Sequence, residues 1–329
     1  MERIDFRTSL DSWPGEVEIS YGEGLLCMGS CFAEHIGARL GARKFRTLVN
    51  PAGIIYNPVS LAQSLGWMAE GRKFGEEDVF EWQGQWNSYY HHSRFSALSR
   101  DAILEGINQG MDVAGQFFRE HTDRLLLSLG TGLVYEHVAR EEIVANCHKL
   151  PASTFSRRRL SVSEVVDALG ACFQLLLRHR PDLKIILTVS PVRHLREGMV
   201  ENQRSKATLV LAAAQLAETF SAVHYFPAYE LLLDDLRDYR FYADDLVHPG
   251  TQGVEYIWRF FTQTYFSEET KGIVQEVEAL LRAADHRPFQ SDSESHRTFL
   301  ASQLEKARAL EKKYPFLDLG AEKEHFKAF

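Results

Sequence analysis

The chain has 329 residues, of which 45% are hydrophobic and 25% charged. That is enough apolar content and length to bury one large core, and it excludes a disordered or fibrous chain. The formal net charge of −8 argues against nucleic acid as a main partner, and Arg157-Arg158-Arg159 is expected as a solvated loop or helix start.

From the N-terminus, Met1 to Arg7 places charges where a signal peptide needs an apolar run. No stretch approaches the roughly 18 apolar residues of a spanning helix, so the expectation is a cytoplasmic protein with no membrane partner. Cys27, Cys31, Cys147 and Cys172 are few and sit mostly among apolar residues. They read as reduced thiols and not as a disulfide framework, and their spacing gives no metal motif.

Apolar runs bounded by turn residues predict strands at 25–28, 124–129, 184–189 and 222–226, with weaker ones near Ile143 and Tyr239. Helix-period stretches predict helices at 33–40, 58–70, 100–120, 162–180, 201–220 and 252–265. Strands alternating with helices of this length imply parallel crossover units, and hence an α/β doubly wound parallel sheet between two helix layers. The stretch 76–95 breaks the alternation with Trp82, Trp86, Tyr89, Tyr90, His91, His92 and Phe95. With Gly84 between two short runs, it is expected as a hairpin or irregular insertion walling the site. From residue 267 the composition turns to charged helix formers. A helical C-terminal appendage over 267–329 follows, interrupted at 286–288 and 291–294 and frayed over 321–329.

Two segments carry chemistry. Gly29-Ser30-Cys31-Phe32-Ala33 joins the first strand to the first helix, so the Ser30 hydroxyl stands at a strand's carboxyl end and a helix's positive end. Far downstream, Asp245-Leu246-Val247-His248-Pro249 offers a base and an acid to orient it. Together they supply nucleophile, base and orienting acid. Ser30 also suits a plain helix cap, and Cys31 is the rival nucleophile. Asp244 competes with Asp245. Thr131 and Ser190 fall after strands on the same rim, and Arg193 offers a planar fork for an anion. Glu201, Asn202 and Arg204 are expected to cap and decorate the next helix.

With these strings in hand the chain resembles the GSCFA family, named for residues 29–33 and grouped with the SGNH hydrolases. Further strings carry the resemblance: Asn50-Pro51-Ala52-Gly53-Ile54-Ile55-Tyr56-Asn57-Pro58, His92-Ser93-x-Phe95, Asn146-Cys147-His148-Lys149 and Ser190-Pro191-Val192-Arg193-His194. It implies a flavodoxin-like sheet, no cofactor, Ser30 as nucleophile, His248 as base and Asp245 as orienting acid. It also implies Gly53 as an oxyanion donor through its backbone N–H, beside that of Ser30. SGNH enzymes carry Gly-x-Asn-Asp after the third strand, whereas this chain has Gly130-Thr131-Gly132. The side-chain donor is therefore expected from Thr131, Asn146 or a histidine such as His92, or is absent. The implied activity is an esterase acting on a small acyl group of a carbohydrate-like alcohol. An acyltransferase with the same triad, and a binding or scaffold protein without turnover, remain open.

Overall fold

The computed structural model describes residues 8–11, 17–286 and 293–327. The charged N-terminal stretch 1–7 and most of the expected breaks at 286–288 and 291–294 lie outside the described residues. Strands in chain order are β1 Gly24–Gly29, β2 Arg46–Val49, β3 Phe80–Trp82, β4 Gln85–Asn87, β5 Thr122–Leu129, β6 Leu133–His137, β7 Glu142–Val144, β8 Phe155–Arg159, β9 Lys184–Val189 and β10 Val223–Phe226. Helices are α1 Cys31–Ala42, α2 Pro58–Glu70, α3 Arg100–His121, α4 Val162–His179, α5 Gly198–Thr219, the short turn α6 Ala228–Glu230, α7 Thr251–Tyr265, α8 Glu268–Ala284, α9 Glu294–Lys313 and α10 Gly320–Lys327.

The central sheet runs β2-β1-β5-β9-β10, every pair parallel. Counted within the sheet this is the flavodoxin order, and its direction reverses between β1 and β5. Side chains alternate across β1 and β5, so each face has its own core. Leu26, Met28, Leu125 and Leu127 pack with α2 to α5, while Leu25, Cys27 and Leu126 pack with α1 and α7. The result is a three-layer α/β/α fold. Leu280, Leu300, Ala307, Leu310 and Phe326 of α8 to α10 join Phe32 and Ile36 of α1 in the second core. Burying several such side chains contributes roughly 1.5–3 kcal/mol each, so the C-terminal helices are bound through a shared core.

Several elements differ from the sequence expectation. The short edge strand β2 was not expected from its Arg-Thr-Leu-Val run, which has little apolar length. The Arg157 to Arg159 run lies in β8, paired with β6, rather than in a loop or helix start. Each of its arginines meets a glutamate, Arg158 and Arg159 at 2.6 and 3.0 Å from Glu164 and Glu201. Those partners let a like-charged run sit on an exposed strand. Tyr239 begins a tight turn over Tyr239–Phe241 instead of a strand, because the Asp238 carboxylate accepts the Arg240 N–H and folds the chain back. The segment 320–327 is helical, anchored by buried Phe326, where fraying was expected.

The aromatic stretch does contain a hairpin, β3–β4, closed by Gln83 and Gly84 at φ of 52° and 76°. Two consecutive positive φ values are what a tight two-residue hairpin turn requires. Tyr89, Tyr90 and His91 beyond it are buried in the first core. Tyr89 stacks on Phe80 at 4.1 Å and Tyr90 meets Trp67 edge-on at 5.0 Å. Large rings gain most by leaving water, so these pack the interior and do not wall a site.

Candidate active site

The site begins at the turn from β1 to α1. Gly29 has φ +126° and pairs with Ser128, and a Cβ there would lie 2.1 Å from the Ser128 carbonyl oxygen. Only glycine fits that approach. The turn is also held by Asn50, at the end of β2, whose Oδ1 accepts the Gly29 N–H at 2.8 Å. Asn50 is fully buried at φ 42°, and its Nδ2 has no partner. Sequence reading quoted Asn50 in a family string without giving it a role. A turn-forming asparagine directly after an apolar run was the available signal.

Ser30 is 0% exposed. Its Oγ lies 2.9 Å from the Ser128 Oγ and accepts the Phe32 N–H at 3.2 Å, so it caps α1. Cys31 starts the helix half-buried, and burial pushes its thiol up, away from the reactive thiolate.

Asp245 and His248 stand on the loop between Tyr242 and Pro249, which bridge each other across its neck. The Asp245 Oδ2 is 2.7 Å from the His248 Nδ1, while its Oδ1 accepts the backbone N–H groups of Val247 and His248. Those backbone bonds, with the imidazole contact, hold the carboxyl down at about 2. Asp245 therefore stays ionised through any working pH. A carboxylate on Nδ1 leaves Nε2 as the atom free to take a proton. Asp244 makes no such contact. His248 is close enough to His35 on α1 and to His194 for its charge to reach both. No hydrogen bond joins it to Ser30 among the described residues; the pair shares the rim but is not engaged.

Arg193 is engaged with this loop. Its N–H donates to the Val247 carbonyl at 3.1 Å, a guanidinium N–H reaches the Leu246 carbonyl at 3.4 Å, and the guanidinium lies 4.2 Å over the Tyr242 ring. A cavity beside it is lined by Pro191, Arg193, Leu195, Asn202, Gln203 and Tyr242, among others. None of the aromatic residues of 76–95 lines it.

The expected oxyanion donors are placed as follows. The Ser30 N–H donates to the Ser128 carbonyl at 3.0 Å and the Gly53 N–H to the Asn50 carbonyl at 2.7 Å, so both backbone donors are occupied. Gly53 has φ +85° and would meet the His92 Cβ at 2.1 Å if it had a side chain, which brings His92 against the turn. The His92 Nδ1 accepts the Arg94 N–H, and burial with the Arg94 charge lowers its pKa. Thr131 bonds the Ser205 hydroxyl at 3.0 Å and accepts the Leu133 N–H. Asn146 accepts the His148 N–H at 3.0 Å, closing its own turn. The Thr131 hydroxyl is thus engaged locally, while the Asn146 bond uses its Oδ1 and not its Nδ2 donor. Asn202 accepts the His194 N–H at 2.9 Å, and Glu201 pairs with Arg159 and Arg204. Among the described residues no three His, Cys, Asp or Glu side chains gather as a metal site, and no helix is long and apolar enough to cross a membrane.

A parallel sheet in flavodoxin order between two helix layers, with a serine turn after its first strand and an Asp-x-x-His loop beyond its last, defines a doubly wound α/β/α class of fold. Within it the chain belongs to the GSCFA family: the family model matches residues 24–261, and the model of its C-terminal domain matches 277–329. No curated protein matches in sequence. Solved structures that resemble it are more distant. A carbohydrate esterase family 3 protein from Talaromyces cellulolyticus is 8% identical at TM-score 0.35, over 78% of this chain and 99% of its own. A putative platelet activating factor from Streptococcus pneumonia is 14% identical at TM-score 0.39, over 75% and 85%. The acetyl xylan esterase Est2A of Butyrivibrio proteoclasticus is 10% identical at TM-score 0.36, over 80% and 66%.

Proposed function

We propose that this protein is a serine esterase that removes a small acyl group from a carbohydrate-like or other small alcohol. The observation that carries the reading is the Asp245–His248 pair at 2.7 Å, with its carboxylate fixed by two backbone N–H groups, on a loop at the rim that bears Ser30. For this the Ser30 Oγ must leave Ser128, by a change of χ1, and meet the His248 Nε2. His248 then removes the Ser30 proton as Oγ attacks the ester carbonyl. The alcohol leaves with that proton, and water activated by the same imidazole frees the acid. The hydroxyl-bearing alcohol is suited to the cavity beside Arg193, where Asn202, Gln203 and Tyr242 offer polar tips on an apolar floor.

A fluorophosphonate probe and p-nitrophenyl acetate test it. Wild type is expected to label and turn over; Ser30→Ala and His248→Ala lose both. Transfer of acetyl to added alcohol in preference to water would make it a transferase. One observation favours a non-catalytic binding role: the Ser30 hydroxyl is buried and already bonded to Ser128. Equal labelling of wild type and Ser30→Ala would establish that role instead.

A further inference from the structure

Lys206, on α5, is a buried cation without a counter-ion. It is 1% exposed, and its Nζ donates to the carbonyl oxygens of Gly130 and Ser190, each at 2.7 Å. Those carbonyls directly follow β5 and β9, so the ammonium lies under the same rim as Ser30. No carboxylate pairs with it among the described residues; the ionisable group whose charge acts on it is Cys31, next to Ser30. An ammonium has three N–H donors. Two are used here, and the third has no acceptor among the described residues. Holding a charge out of water this way is costly, and a methionine would fill the same space without that cost. The Ser30 and Gly53 N–H groups and the Thr131 hydroxyl all have partners, so among these candidates the Asn50 Nδ2 and the third Lys206 N–H are the buried donors left without one among the described residues.

We infer that Lys206 is a catalytic residue, its third N–H binding the oxyanion formed when Ser30 attacks an ester. This rests on the esterase reading above. In the step, the Ser30 Oγ bonds to the acyl carbon, its proton passes to the His248 Nε2, and the carbonyl π pair moves onto oxygen. The resulting alkoxide accepts from Lys206. Collapse returns the pair, breaks the bond to the alcohol oxygen, and that oxygen takes the proton from His248. A cation and donor aimed at the developing charge acts chiefly on kcat.

The groups facing Lys206 are Cys31 from α1, His194 from the loop after β9 and Tyr229 from α6, its ring 5.6 Å from Nζ. Burial raises the Cys31 thiol, raises Tyr229 to about 12 and lowers His194 to about 4, so all three are neutral at pH 6–8. Burial also brings Lys206 down to about 7. The charged amine is the active form, so its contribution is present at low pH and fades as pH rises through that value.

Hydrolysis of p-nitrophenyl acetate by the full chain, with the Ser30→Ala rate subtracted, tests the inference. Lys206→Met is expected to lower kcat on the order of 10²–10³-fold, to move KM less than about threefold, and to abolish the alkaline fall in rate. Lys206→Arg, charged at every working pH, should recover part of kcat and keep it through about pH 9. A folded Lys206→Met enzyme with kcat within threefold of wild type overturns the inference and leaves the esterase reading intact. Should Lys206→Met fail to fold, the wild-type rate of fluorophosphonate labelling against pH decides: no alkaline fall overturns it. No Ser30-dependent rate in wild type overturns both, and is recognised as the failure of the esterase reading.

Discussion

Asn50 and Gly29 set the position of Ser30, and each acts through a single backbone contact. Asn50→Ala leaves the Gly29 N–H buried without an acceptor, which costs about 1–3 kcal/mol. It also places alanine at φ 42°, a left-handed conformation that asparagine's short polar side chain tolerates better. A loss of about 2 kcal/mol is expected, read as a lower urea midpoint at unchanged slope. Asp245→Asn keeps the loop's shape but gives the His248 Nδ1 an amide in place of a carboxylate. A drop in kcat of about 10² or more is expected. Because Asp245 titrates near 2, its carboxylate is ionised throughout, and the variant should lower the rate at every pH from 5 to 9. Residues of this kind were half legible. Ser30, His248 and Asp245 stand in recognisable turns, whereas Asn50 and Lys206 look like an ordinary turn residue and an ordinary helical lysine. A lysine at 206 in register with Leu209, Ala213 and Leu216 was the readable sign, since that face of α5 is buried.

At the scale of elements, the loop from 239 to 249 carries Asp245 and His248, and on the proposed esterase reading its position governs the rate. It has no regular ladder of its own beyond the Tyr242–Pro249 bridge, and it is gripped from the loop after β9 by Arg193. The guanidinium lies over Tyr242 and Tyr239 at 4.2 and 5.2 Å. Arg193→Ala should therefore lower kcat about tenfold or more with a smaller change in KM, because a misplaced base costs the chemical step most. Arg193→Lys should not restore it, as an ammonium cannot stack and donate from a planar fork. Steady-state kinetics on the two variants separates this from a substrate-binding role, in which KM would rise instead. The alternation of strands and helices made the parallel sheet readable. The short strands β2, β6 and β8 were not, because four or five residues carry too little period to stand out.

For the whole molecule, two buried imidazoles couple folding to pH. Burial, with the charges of His148 and Arg72, lowers His91 to about 3, and burial with Lys206 and His248 lowers His194 to about 4. An unfolded histidine takes its proton below roughly 6.5, so between that pH and about 4 the unfolded chain binds more protons than the native one. Stability is thus fully present above pH 7 and falls as the solution is acidified. Each group loses about 1.4 kcal/mol per pH unit in that window. Chemical unfolding at pH 7.5 and 4.5 should show the loss, and His91→Gln should reduce its slope by about one group's share.

By itself the sequence determined the three-layer α/β class, the serine turn, the Asp-x-x-His loop and the C-terminal run of helices. Each of these rests on local pattern: hydrophobic period, turn chemistry or a short fixed spacing. Only the tertiary structure decided which donors are free and which are taken. The N–H groups of Ser30 and Gly53 and the Thr131 hydroxyl found partners, some close in sequence and some far, while among the described residues the Asn50 Nδ2 did not. The aromatic stretch likewise became core because the first-core face of the sheet had room for its rings. A residue's type fixes what it can donate or bury, but burial and competition for partners are set by segments up to two hundred residues apart. That is why the turns bearing Ser30, Asp245 and His248 could be read along the chain, and why the partners of Lys206 could be seen only in the fold.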